Sequence, residues 1–145
     1  MSGTSTQPSM MRWRYLLVLA ALLGLYVWFA RSHDLEAAIR RDAAASGGKV
    51  IDLPKSVPFA WSRVCVAGPH ASTKSTSAML GFDWNSEAHS KVLDDEGVIL
   101  LMFANKNMVV GAVDYSRELA PWAGKCYLRA DAVFKIAGLE AGRIL

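Results

Sequence analysis

Cysteine and histidine are both scarce in this 145-residue chain, with two of the former and three of the latter. The cysteines, Cys65 and Cys126, form no C-x-x-C pair, which excludes a thioredoxin-like redox motif. No H-E-x-x-H and no Cys/His ligand spacing occurs, so the sequence offers no metal centre. Also missing are the G-x-S-x-G elbow, the phosphate-binding loop and the dinucleotide fingerprint. Ser46-Gly-Gly-Lys49 matches S-x-x-K in letters alone: that motif needs a helix starting at the serine, and here two glycines follow it. The sequence therefore assigns no catalytic residue and no cofactor. Charge of one sign is lacking too. From Gly47 onward seven Lys and four Arg face ten Asp and Glu, a net of about +1 with no basic stripe. Nucleic-acid binding needs a clustered phosphate-neutralising surface, so it is excluded as a function.

Long apolar runs are limited to one. Residues 15–30, YLLVLAALLGLYVWFA, carry no charge and are fenced by Arg12, Arg14 and Arg31. At about 1.5 Å per residue the run reaches roughly 24 Å, short of a hydrocarbon core of about 30 Å. Trp13 and Tyr15 at one end and Tyr26, Trp28 and Phe29 at the other suit the headgroup level and close that gap. The pattern predicts a transmembrane signal anchor over 15–30, preceded by a short cytosolic tail over 1–14. A cleaved signal peptide is the alternative, but the third-last residue before Ala30 is the bulky Trp28, and Ala30-Arg31-Ser32 is a poor site. No cysteine follows the run, so it is not a bacterial lipoprotein signal. Flanking arginines are nearly balanced. The Ser/Thr-rich tail and the paired cysteines place the body of the chain outside the cytoplasm, in a single-pass protein of the inner membrane facing the periplasm or cell exterior.

Beyond the run, Ser32 to Ser46 reads as an alanine-rich helix with Leu35, Ala38 and Ile39 on one narrow edge, ended by Gly47-Gly48. Residues 31–48 are expected to continue the preceding helix or to form a short helical stalk packing lightly on the domain, a solvated spacer rather than a partner-binding helix. The remainder, 49–145, is long enough for one small core. Val50 to Leu53 is a strand candidate closed by prolines, and Trp61 to Ala67 alternates as a strand should. Ser72 to Leu80 forms a helix capped by Ser72 and stopped by Gly81, with a further helical turn within Ser86 to Val92. Val98 to Ala104, the turn Asn105-Lys106-Asn107 and Met108 to Tyr115 read as a hairpin. Its first strand is apolar on both faces and therefore central. Cys126 to Arg129 and Val133 to Ala137 supply further strands. The expected fold class is α+β: an N-terminal transmembrane helix followed by a small, mainly antiparallel sheet with helices on one face.

Several of these segments resemble, as an ordered set, a known family. They are Trp61-Ser-Arg-Val-Cys-Val-Ala-Gly-Pro-His70, Leu80-Gly-Phe-Asp-Trp84, VILLMFANKNMVVGAVDYSR over 98–117, and Cys126-Tyr-Leu-Arg-Ala-Asp-Ala-Val-Phe134. The family is one of small, uncharacterised bacterial proteins, secreted or membrane-anchored, with W-x-[RK]-V, G-P-[aromatic], L-G-[FI]-x-W and LLVF-type motifs. The resemblance covers nearly all of 60–136 and implies a shared fold and an envelope location. It implies no activity. His70 departs from it, standing where Tyr follows Gly-Pro.

Four groups of residues are candidates for a role. Cys65 and Cys126 fall in separate strands and are expected to form a disulfide; two buried free thiols are the alternative. His70 and His89, with Asp83 and Glu87, lack metal-ligand spacing and read as surface or packing groups. Phe82 and Trp84 flank Asp83 after a helix stop and either cap the core or form a recognition patch. Trp122 lies in another loop, near Arg117. Trp122, Arg117, Trp84 and His70 are the interaction candidates. The expected function is a membrane-tethered, non-enzymatic protein-binding module of the bacterial envelope, with the membrane and an envelope protein as partners. One variety is an immunity-type inhibitor of a periplasmic toxin. The rival is a small envelope hydrolase using His70 or His89 with Asp83 as general base.

Overall fold

A computed structural model of the chain describes the backbone of residues 10–136 and the side chains of 13–27 and 34–136. The expected tail over 1–9 and the chain after Ile136, including the end of the last predicted strand, lie outside the described residues. The first helix, α1, runs from Met10 to Ala45. The chain divides into two units, Met1–Arg31 and Ser32–Leu145, so α1 contributes to both.

In the first unit the described side chains, 13–27, are all exposed, Leu16 at 61% and Leu23 at 67% among them. They occupy every face of the helix, since five consecutive residues from Tyr15 to Leu19 already turn through more than a full circle. Among the described residues no helix is long and apolar enough to cross a membrane. The expectation of a transmembrane anchor over 15–30 is corrected accordingly.

The second unit begins inside α1. Leu35, Ile39 and Ala43, one turn apart, are buried at 4%, 0% and 8% exposure and belong to the main hydrophobic core. The expectation of a solvated stalk over 31–48 is therefore also corrected: the narrow apolar edge is a packing edge. The Gly47-Gly48 stop is where the sequence places it, both glycines in the left-handed region at φ 69° and 74°. Ser46 Oγ closes the turn, donating to the Ala43 carbonyl at 2.7 Å and accepting from Val50 N–H at 3.1 Å.

Strand β1 (Val50–Asp52) follows, then the one-turn helix α2 (Leu53–Ser56), which has Pro54 in its first turn and Asp52 as its cap. Asp42 of α1 accepts from Ser56 Oγ at 3.1 Å and pairs with Lys55 at 3.0 Å, fastening the two helices. The hydrogen bond from Lys55 to Asp42 holds its ammonium above the ordinary lysine range. The remaining elements are β2 (Arg63–Ala67), α3 (Thr73–Leu80), β3 (Val98–Asn105), β4 (Met108–Ser116), β5 (Lys125–Leu128) and β6 (Val133–Lys135). Short 3-10 turns cover Ser86–Ala88, Arg117–Trp122 and Arg129–Asp131.

The main sheet has the order β4-β3-β2-β5 with every pairing antiparallel, and β1 with β6 makes a separate two-stranded ribbon. Central β3 is buried from Ile99 to Ala104. Its alternate residues go to opposite cores. Ile99, Leu101 and Phe103 join Val64, Val66 and the α1 edge, whereas Leu100, Met102 and Ala104 join Cys65, Ala67 and Leu80 of α3. A strand apolar on both faces needs cover on both. The expectation of helices on one face is corrected for that reason: α1 covers one side and α3 the other. The α+β class and the mainly antiparallel sheet stand.

Candidate functional site

The segment after α3 is braced by several side-chain hydrogen bonds to the helix. Ser72 opens the helix, its hydroxyl accepting from Ser75 N–H at 3.3 Å, and Gly81 closes it at φ 81°, as the sequence predicts. Residues 82–89 then fold back along the helix. Ser77 Oγ accepts from Trp84 N–H at 3.0 Å and donates to the Trp84 carbonyl at 3.1 Å. Asn85 Oδ1 caps the turn Ser86–Ala88 through Ala88 N–H and accepts from Thr73 Oγ1 at 3.2 Å. Glu87 Oε1 accepts from Thr73 N–H, one of the open donors of the helix start, at 3.0 Å. Beneath them the hydroxyls of Thr76 and Ser86 lie 2.9 Å apart, both residues fully buried. Each such bond contributes about 1 kcal/mol net. Together they hold the loop in one conformation.

This bracing sets what the surface displays. Trp84 is half-buried and stacks on exposed His89, with ring centroids 5.4 Å apart and 13° between planes. Phe82, also half-buried, lies under the Arg63 guanidinium at 6.0 Å, and Arg63 Nη2 donates to the Leu80 carbonyl at 2.6 Å. An open groove beside them is lined by Thr73, Lys74, Ser77, Ala78, Gly81, Phe82 and Asp83. Trp84 and Phe82 thus combine the two sequence readings, each with one side in the α3-side core and the other outward.

The other candidates lie elsewhere. Trp122 is half-buried, packs on Phe134 at 5.3 Å, and its carbonyl accepts from Tyr127 Oη at 2.9 Å, so its ring belongs to the main core. Arg117 is exposed, and its N–H donates to the Gly97 carbonyl at 3.2 Å. Gly97 ends the acidic loop Asp94-Asp95-Glu96-Gly97 ahead of β3, and the His70 ring lies 3.3 Å from Glu96 Oε1 of that loop. The loop thereby brings His70 and Arg117 to one end of the domain, a neighbourhood that sequence spacing did not reveal. His70, His89 and Asp83 have separate settings: Glu96, the Trp84 ring and the groove, respectively. Among the described residues no group of three His, Cys, Asp or Glu side chains is placed to hold a metal ion.

Cys65 and Cys126 are opposite one another in the β2–β5 pairing and are joined by a disulfide that closes a sequence separation of 61 residues. Cys65 is fully buried, Cys126 is exposed, and the bond staples edge strand β5 to the sheet.

Comparison with known protein families, with curated proteins and with solved structures finds no match to this chain.

Proposed function

We propose that this is an extracytoplasmic, membrane-associated binding protein of a bacterial envelope, with no catalytic role of its own. The braced loop 82–89 carries the reading. Its hydrogen bonds order the Trp84–His89 stack before any partner arrives, so little conformational entropy remains to be lost on binding. Tryptophan is also among the residues that dominate interface energies, especially where one face is packed and the other is free. A protein partner is the occupant such a patch suits.

Location rests on two supports. A disulfide between strands persists in an oxidising compartment. The ordered motif resemblance across 60–136 implies the same location. Incorporation of a photo-crosslinking residue at exposed Asp83 of the full chain tests the reading in cells. One stoichiometric protein adduct in the membrane fraction is expected. Absence of any adduct, together with substrate turnover by the purified chain that is lost on His89→Ala, would replace it with the hydrolase reading.

A further inference from the structure

We infer that the open edge of β5 is a docking site for an extended segment of a partner protein in which acidic and apolar residues alternate. The edge follows from the pairing register. Arg129 N–H donates to the Ser62 carbonyl at 2.9 Å, which makes 62 and 129 a hydrogen-bonded position at the end of the β2–β5 ladder. Antiparallel positions alternate, so the backbone groups of Tyr127 turn towards Val64 and those of Cys126 and Leu128 turn away from β2. The 3.9 Å between the Cα atoms of Cys65 and Cys126 is the close spacing of a pair without mutual hydrogen bonds. No strand lies on the other side of β5. Two N–H and two C=O groups therefore face outward, on residues that are both exposed, Leu128 at 64%. Such a row is a template for one more strand.

Side chains on the two faces of this edge set what the added strand must carry, since successive residues of a strand point to opposite faces. Tyr127 packs on Phe134 in the main core, so Lys125 and Arg129 belong to that face. Both are exposed, and the Arg129 guanidinium lies over the Trp61 ring at 5.5 Å. Among the described residues neither is in a salt bridge. The opposite face carries Leu128 and the disulfide, with Arg63 across from Leu128 and the Phe82 ring under its guanidinium at 6.0 Å. A strand laid along β5 puts alternate residues over each face. Carboxylates then meet Lys125 and Arg129, and aliphatic side chains cover Leu128. A second copy of this chain fits worse. The two-fold register that pairs Cys126 with Leu128 uses all four outward groups, yet it sets Lys125 of one copy opposite Arg129 of the other, and like charges directly opposite are destabilising. Lysine on an edge guards against pairing of that kind. An acidic strand escapes the guard. Backbone pairing at β5 needs nothing of the Trp84 surface, so the two sites stand or fall separately.

Titration of the full chain, disulfide intact, with the end-blocked peptide Glu-Val-Glu-Val-Glu-Val-Glu tests the site by amide NMR. The Cys126 and Leu128 N–H resonances should shift most, and at a peptide concentration about ten times Kd their protection from exchange should rise about tenfold. With valines on the Leu128 face, the valine nitrogens face β5 and the glutamate nitrogens face away. Methylating the valine nitrogens should therefore weaken binding at least about tenfold, and methylating the glutamate nitrogens should change it less than about threefold. The matching Lys-Val peptide should bind at least about fivefold more weakly than the Glu-Val one, and Lys125→Glu, at an exposed position, should narrow that gap by about two- to fivefold. Absence of shifts at Cys126 and Leu128, equal affinity for the two peptides, or equal loss from either methylation overturns the site. Shifts at those two amides that grow with protein concentration alone assign the edge to a second copy and overturn the acidic partner.

Discussion

Removing the Cys65–Cys126 bond is the perturbation whose size the structure fixes best. The crosslink closes a sequence separation of 61 residues, so in the chain-entropy treatment its loss frees the unfolded state by about 4 kcal/mol. Backbone pairing of β5 with β2 survives in principle, as do the contacts of Tyr127 with Phe134 at 5.1 Å. β5 is nonetheless a four-residue edge strand with exposed Lys125, Cys126 and Leu128. A domain of roughly a hundred residues gains about 0.2 kcal/mol per kelvin of unfolding entropy near its midpoint. A loss of about 4 kcal/mol thus lowers Tm by about 15–20 °C. Thermal unfolding of the Cys65→Ala/Cys126→Ala double variant, alongside wild-type chain reduced with a phosphine, measures this. Reduced wild type retains both sulfurs, so it separates the crosslink from the packing of Cys65. A fall below about 5 °C in the reduced wild type refutes the reasoning and assigns the holding of β5 to strand pairing alone.

Three further outcomes follow from the packing. Ile39→Ala should cost about 2–5 kcal/mol in urea unfolding, because the side chain is fully buried in the main core; a cost near zero would restore the solvated stalk. Gly111→Ala should destabilise by about 1–3 kcal/mol, since a Cβ there would collide with Phe59 Cζ while that ring packs edge-on against Phe103 at 5.8 Å. Adding Phe59→Ala should make the Gly111 change nearly neutral relative to Phe59→Ala alone, and an undiminished cost would place the clash elsewhere. Burial holds the Tyr115 hydroxyl above the ordinary tyrosine range, so the unfolded chain releases this proton first as pH rises. Stability from this group is complete below about pH 10 and declines above it, and Tyr115→Phe should flatten that alkaline decline in a pH series of unfolding curves.

Much of the sheet was legible because its signals are local. Alternation marked β2, the two-sided apolar run marked β3 as central, and Ser72 and Gly81 bracketed α3 to within a residue. What sequence could not supply was partnership at a distance. Leu35 and Ile39 look the same on a lone spacer as on a packed helix, and only the opposite face of β3, in need of cover, decides between them. The ribbon of β1 with β6 joins segments about eighty residues apart, each three residues long and without a periodic signature of its own. At the candidate site, the helical turn from Ser86 was readable, but the back-folding of Trp84 onto Ser77 was not, because it rests on one hydroxyl serving as donor and acceptor at once. Trp122 reads as an exposed loop aromatic until Phe134 is brought beneath it.

Protein binding through the braced Trp84 surface is the function proposed for this chain. Its most direct measurement is the affinity of the partner captured through Asp83 for the wild-type full chain and for Trp84→Ala, both checked for equal Tm. A residue at the centre of such an interface contributes more than about 1.4 kcal/mol, so Kd should rise at least about tenfold for Trp84→Ala. Equal affinity for wild type and Trp84→Ala would rule out this surface as the binding site.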